Sequence, residues 1–152
     1  MKFLRYAERK FDCKITLDGA SDYGVRRRDY QHNFLPYISR YNDGGNSFLN
    51  FLSVDFSLLM PHIVWLFPPK SLEVTFLSYF LNHKQRPGLI LLLLQHQVLP
   101  SVYNFAKINS DRHVFLSDNN YLSRAVKGKK ARLPHPFKGL LHLFYFSALS
   151  DK

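Results

Sequence analysis

The sequence is poor in the residues that cross-link small extracellular proteins. It has 152 residues but a single cysteine, Cys13, so no internal disulfide can form and the disulfide-stapled class is excluded. Its seven histidines are scattered, and no Cys/His cluster has the spacing of a zinc site. We therefore predict neither a metal centre nor a cofactor.

Acidic residues are also scarce. Eleven Asp and Glu stand against 21 Lys and Arg, which gives a net charge of +10. No paired carboxylates, metalloprotease motif or phosphate-cradling glycine loop is present, so we predict that the protein is not an enzyme and has no small-molecule substrate. Because 46% of the residues are hydrophobic, the chain should fold. Its charge is typical of proteins whose partner is a nucleic acid or an acidic membrane.

Long hydrophobic runs are few. Residues 47–68 are about long enough to span a bilayer, but they include Asp55 and Pro61, and a central Asp costs roughly 2.5–3.5 kcal/mol on insertion. The run at residues 89–94 is too short to span. We interpret both as core segments and expect no membrane contact. The N-terminal residues 1–14 have the pattern of neither a secretory signal nor a transit peptide.

The local patterns predict an α+β fold. We expect an N-terminal extension (residues 1–45), a small helix-strand-helix lobe (46–98) and a mainly antiparallel β lobe (99–152). Turn residues such as Gly44 and Gly45 break up the extension, so short pieces are expected there.

Apolar spacing and turn residues give the individual elements. The expected helices cover residues 47–60 and 72–81, and the expected strands cover 62–67, 89–94, 113–116 and 140–146. The run at 89–94 has no polar alternation, so it fits a strand buried on both faces, although a buried helical segment has the same pattern.

The positive charge is concentrated towards the C-terminus. Residues 101–152 contain nine basic and three acidic residues, and a dense cluster reads RAVKGKKAR at positions 124–132. Such a cluster can bind RNA phosphates or form a solvated loop. We favour RNA, and the candidate residues are Arg124, Lys127, Lys129, Lys130 and Arg132.

A second basic element is the arginine triplet Arg26, Arg27 and Arg28, which is followed by Tyr30 and Phe34. Arginine among aromatic residues suits RNA, because both groups stack on unpaired bases and the guanidinium also binds phosphate. The aromatic residues could instead dock this segment on the core. We include the three arginines as candidate RNA-binding residues.

A polar turn follows the strand expected at 113–116. Its small side chains Ser117, Asn119, Asn120 and Ser123 can together contact sugar hydroxyls, base edges and phosphates, as proteins do when they bind irregular RNA. The simpler alternative is an Asx turn whose side chains satisfy their own backbone.

Two stretches, residues 69–74 and residues 114–124, resemble the universal small-subunit ribosomal protein eight family. Residues 69–74 (PKSLEV) are similar to the helix start of that family, and residues 114–124 (VFLSDNNYLSR) are similar to its strand and hydroxyl-rich turn, with Asn120 at the position of the turn glycine. The resemblance covers roughly residues 46–147. It adds Lys70 and Ser71 as candidate RNA ligands.

The resemblance implies a structural constituent of the ribosomal small subunit that binds small-subunit ribosomal RNA and neighbouring ribosomal proteins and supports assembly. The Phe, Tyr and Leu content and the extension favour a divergent mitochondrial type, located in the matrix on the ribosome. The main alternative is an accessory subunit of a mitochondrial membrane complex, with residues 47–68 at the bilayer and the basic end on anionic headgroups. A small RNA-processing enzyme would need a clustered His/carboxylate site that the sequence does not show.

Overall fold

A computed structural model describes residues 2–21, 27–29, 31, 33–94, 99–116 and 141–150. The elements in these ranges are helices α1 (Lys2–Phe11), α2 (Glu73–Leu81) and α3 (Pro100–Asn109), 3-10 turns Phe56–Leu59 and Lys70–Leu72, and strands β1 (Leu17–Asp18), β2 (Ile38–Ser39), β3 (Phe48–Leu49), β4 (Ile63–Leu66), β5 (Gly88–Leu94), β6 (Arg112–Leu116) and β7 (Leu141–Phe146).

Five of these strands form one sheet in the order β1-β4-β5-β7-β6. β1, β4 and β5 are parallel, whereas β7 pairs antiparallel with both β5 and β6. The antiparallel pairings are the longer ones, so the fold is α+β with a mostly antiparallel sheet, as predicted. β2 and β3 form a separate parallel pair.

The central strand β5 is buried along its whole length. Leu89, Leu91 and Leu93 belong to the hydrophobic cluster on one face of the sheet, and the residues between them belong to the cluster on the other face. This alternation follows from the two-residue period of a strand and explains why the run contains no polar residue. The prediction of a strand buried on both faces is confirmed.

Helices cover both faces of the sheet. α1 packs Leu4, Ala7 and Phe11 on one face, together with Trp65 of β4. On the opposite face, α2 and α3 contribute Phe80 and Val102 among others. The strands predicted at 62–67, 113–116 and 140–146 and the helix at 72–81 are all present, with boundaries within two residues.

The prediction of a helix at residues 47–60 is wrong. This segment contains β3, a turn and the 3-10 turn Phe56–Leu59. Asn50 has a positive φ of 55° and its side chain accepts a hydrogen bond from the Leu52 amide at 3.1 Å, while Asp55 accepts one from the Ser57 amide at 2.9 Å. These local bonds offer the backbone an alternative to helix, which outweighs the apolar spacing.

The sheet takes strands from all three regions expected from the sequence. β1 comes from residues 1–45, β4 and β5 from 46–98, and β6 and β7 from 99–152. Residues 1–45 also contain the ten-residue helix α1 where only short pieces were expected. In the part of the chain that the structure describes, no helix has the length and apolar character needed to cross a membrane.

Candidate nucleic-acid interface at the carboxyl end of the sheet

Strand directions gather several chain segments at one end of the sheet. β1, β4, β5 and β6 all finish there and β7 begins there, because Leu94 pairs with Leu141 and Leu116 pairs with Leu141. We call this the carboxyl end of the sheet, and the opposite end, where β5 and β6 begin and β7 finishes, the amino end. In open α/β sheets of parallel strands, ligands bind at the carboxyl ends of the strands, and β1, β4 and β5 are the parallel part of this sheet.

The basic segment of the sequence is attached at the carboxyl end. Residues 117–140 connect β6 to β7 and contain six basic residues and one acidic residue. Nine candidate RNA ligands belong to this connection and lie outside the described residues: Ser117, Asn119, Asn120, Ser123, Arg124, Lys127, Lys129, Lys130 and Arg132. The paired residues Leu116 and Leu141 therefore fix where the segment leaves and rejoins the sheet.

A cleft of about 800 Å³ also opens at the carboxyl end. Its walls come from the residues after β1, the β2 and β3 segments, the residues after β4 and the start of α2, and they include Phe67, Leu72 and Phe76. Leu94, the last residue of β5, also lines it. Because Leu94 pairs with Leu141, the cleft lies beside the attachment of the basic segment.

The wall after β1 depends on Gly19. Its amide donates a hydrogen bond to the Trp65 carbonyl at 2.7 Å, which holds the chain close to β4. A Cβ at this position would lie 2.8 Å from Val64 Cγ1 and 3.2 Å from the Trp65 carbonyl oxygen. Glycine is therefore needed here for close packing, and the chain then turns so that the Ser21 amide donates to the Ile38 carbonyl at 3.0 Å.

Two exposed cations, Lys70 and Arg40, line this cleft. Lys70 begins a 3-10 turn that follows extended Pro69, and the Leu72 amide donates to the Pro69 carbonyl at 2.8 Å. The described residues of the lining include no Asp or Glu. The cleft therefore combines apolar walls with positive charge.

Lys70 also lines a second, smaller cavity of about 460 Å³, together with Ser71 and Glu73. The sequence-predicted candidates Lys70 and Ser71 are thus exposed neighbours at the carboxyl end. Glu73 is buried, and burial raises the pKa of its carboxyl to about 7 against the opposing effect of Lys70. At neutral pH this carboxyl is therefore only partly ionised and cancels only part of the positive charge at Lys70.

The arginines at positions 26–28 do not share one environment. Arg26 lies outside the described residues. Arg27 forms an ion pair with buried Asp18, with 2.6 Å between Nη1 and Oδ2, whereas exposed Arg28 places its guanidinium 3.8 Å from the centre of the Phe34 ring. Arg27 therefore stabilises the end of β1, and RNA binding by Arg26, Arg27 and Arg28 stays a prediction.

The structure reveals one pair of side chains that the sequence pattern missed. His113 Nε2 and His142 Nδ1 are hydrogen-bonded at 2.9 Å across β6 and β7, beneath Tyr103 of α3. Burial lowers the pKa of both rings, and that of His142 falls to about 4. The sequence placed each histidine in a predicted strand, but it did not show that the two strands are neighbours. Recognising the pair required the register between β6 and β7.

Two further observations concern metal ligands and the single thiol, Cys13. Within the described ranges, no group of three or more His, Cys, Asp or Glu side chains could hold a metal ion. Burial, followed by the negative charges of Glu8 and Asp12, raises the pKa of the Cys13 thiol to about 11, so it is protonated at neutral pH.

No protein-family model matches the chain, and no match is found among the curated proteins or the solved structures.

Proposed function

We propose that this protein is a structural RNA-binding protein whose interface is the carboxyl end of the sheet. One observation carries the proposal: the strand register attaches the most basic part of the sequence beside a cleft lined by Lys70 and Arg40. Contacts to phosphates supply most of the affinity of such proteins, so clustered cations are the feature that an RNA interface requires.

The resemblance of residues 69–74 and 114–124 supports a finer proposal. On that basis, the protein is a constituent of the mitochondrial ribosomal small subunit, where it binds small-subunit ribosomal RNA and neighbouring ribosomal proteins. The PKSLEV stretch contains the 3-10 turn at Lys70, and the VFLSDNNYLSR stretch begins in β6. Both stretches therefore reach the carboxyl end, as expected if that end binds RNA.

Neutralising three lysines of the basic segment tests the interface. We expect Lys127→Gln/Lys129→Gln/Lys130→Gln to weaken binding of the full chain to an RNA helix with an internal loop by about tenfold at 0.15 M salt. The slope of log K against log salt should become less steep by about 2–3, because up to three phosphate contacts are lost. Fluorescence anisotropy across a salt series measures both quantities.

A matched control removes the same charge from the amino end of the sheet. Arg9 and Lys10 are in the last turn of α1, whose final residue Phe11 stacks on Tyr145 near the end of β7. Lys84 lies shortly before β5 begins. All three are exposed. Arg9→Gln/Lys10→Gln/Lys84→Gln should change affinity and slope much less. Equal losses in the two triple variants would show a general charge effect and would contradict an interface at the carboxyl end.

Co-sedimentation with mitochondrial small ribosomal subunits tests the finer proposal. We expect the full chain to remain with the subunit at salt concentrations that remove proteins bound only by charge. Carbonate extraction of mitochondria distinguishes the alternative. Retention in the membrane pellet would support an accessory membrane subunit and would contradict the ribosomal assignment.

A further inference from the structure

We propose that the cleft between β1, β2 and the start of α2 binds one nucleotide, with the base between its apolar walls and the phosphate at Arg40 and Lys70. The inference deepens the proposed function and rests on it for the source of the nucleotide, which is an unpaired residue of the bound RNA. A free mononucleotide has the same chemistry, and the experiment below separates the two sources.

The size and walls of the cleft fit a planar aromatic ligand. Its volume of about 800 Å³ lies in the range of small-molecule sites. Leu52 and Leu72 line it and are only half-buried, so part of their apolar surface borders the cleft, and the aromatic residues Phe67 and Phe76 also line it. Unpaired bases are commonly bound between apolar and aromatic side chains of this kind.

Polar groups in the lining can orient a base. The side-chain oxygen of Asn50 accepts a hydrogen bond from the Leu52 amide at 3.1 Å, which leaves its NH₂ group as the part that can donate to a ligand. Ser21 also lines the cleft. A few polar groups among apolar walls are typical of sites that bind one heterocycle in a fixed orientation.

The charge of the lining favours an anion. Arg40 and Lys70 are both exposed, and the described residues of this lining include no Asp or Glu. The carboxyl near Lys70 is that of Glu73, which lines the smaller cavity and is only partly ionised at neutral pH. A purely apolar ligand would offer these two cations no anionic group to bind. A nucleotide supplies a phosphate next to its base. An acyl chain with a carboxylate has similar polarity. A nucleotide is favoured because Leu94 links the cleft to the attachment of the basic segment, where an RNA backbone would continue.

The experiment compares two RNA hairpins of equal length, one fully paired and one with a single bulged 2-aminopurine. We expect the full chain to bind the bulged hairpin about tenfold more tightly than the paired one, with a change in 2-aminopurine fluorescence on binding. A parallel calorimetric titration with AMP tests a free nucleotide, and a titration with laurate tests the acyl ligand.

Two variants assign the preference to the cleft. Ala20→Phe places bulk in the lining and should abolish the tenfold preference for the bulge while leaving the affinity for paired RNA unchanged. Ala148→Phe, at an exposed position beyond β7 at the amino end, should keep the preference. If Ala20→Phe fails to fold by circular dichroism, the exposed pair Arg40→Gln/Lys70→Gln provides the same test and should reduce the preference at least threefold.

The outcomes separate the two proposals. A preference for the bulge that the cleft variants abolish supports an RNA nucleotide, and AMP binding that they abolish supports a free nucleotide. Equal binding of both hairpins without AMP binding overturns the cleft proposal and leaves RNA binding standing. AMP binding without RNA binding overturns RNA binding but keeps a nucleotide cleft. Laurate binding without nucleotide binding overturns the cleft proposal.

Discussion

Replacing Arg27 with methionine is expected to lower the free energy of unfolding by about 3–5 kcal/mol at pH 7. The reason is Asp18, whose side chain is 1% exposed and whose carboxylate is held by the Arg27 guanidinium. Breaking a buried ion pair by removing one partner leaves an uncompensated charge, which costs far more than the intact pair contributes. Urea unfolding followed by circular dichroism measures the loss.

The pH dependence of this loss follows from the direction of the Asp18 pKa. Burial raises that pKa, and the Arg27 charge opposes the rise. Without Arg27 the pKa should rise further, so the penalty is present at neutral pH and decreases as pH falls through the folded-state pKa and the carboxyl takes up a proton. The Arg27→Met variant should therefore differ less from the unmodified protein at pH 4.5 than at pH 7.

Two further variants separate the ion pair from other effects of the substitution. Adding Asp18→Asn to Arg27→Met should restore most of the stability, because an Asn oxygen can still accept the bond that the Ala20 amide donates at 3.2 Å. Arg28→Met is the matched control, since Arg28 is exposed and its contact with Phe34 is worth about 1 kcal/mol or less. If the two arginine variants lose equal stability, the buried pair has no special role.

The sequence predicted the elements whose patterns are strong and local. β5 is an unbroken apolar run that ends where the polar residues 95–97 begin. α2 follows Pro69 and has its apolar residues on one face of the helix. The helix expected at 47–60 failed because Asn50 and Asp55 use their side chains for local backbone bonds, which apolar spacing does not register. α1 was missed because the turn residues that follow it dominated the interpretation of residues 1–45.

The candidate site was only partly predictable for a related reason. Lys70 and Ser71 could be placed at a helix start from the sequence alone, and the structure finds them at the carboxyl end of the sheet. The cleft depends on β1 lying beside β4, a contact between residues more than 40 positions apart. The role of Arg27 depends on the same packing, because its partner Asp18 is the last residue of β1. Such non-local pairings leave no periodic signal.

A large pH effect on stability is expected from His142. Burial, together with the positive charges of His113 and Lys107, lowers its pKa to about 4 from an ordinary value near 6.5. The unfolded chain therefore binds a proton between pH 6.5 and 4 that the folded chain excludes. The stabilising contribution is complete above pH 6.5, decreases as pH falls, and reaches a loss of about 2–3 kcal/mol near pH 4.

The packing explains why the proton is excluded. His142 stacks on Phe115, with ring centres 4.6 Å apart, and also contacts the tilted ring of Tyr103 at 4.7 Å. It also shares a hydrogen bond with His113, in which one ring must donate and the other accept. Protonating His142 places a positive charge among these buried rings, with Lys107 on the neighbouring helix α3, and protonating both histidines would leave their shared bond without an acceptor.

The difference between the unmodified protein and His142→Asn isolates this contribution from the other titrating groups. The Asn oxygen can replace Nδ1 as acceptor but does not titrate, so the stability advantage of the histidine should shrink by about 2–3 kcal/mol from pH 7 to pH 4. NMR titration of the ring protons gives the pKa directly. Lys107→Gln should raise the pKa of both rings, because it removes a positive charge that opposes their protonation. If His142 titrates near 6.5, the ring is open to solvent and the stability difference should not depend on pH.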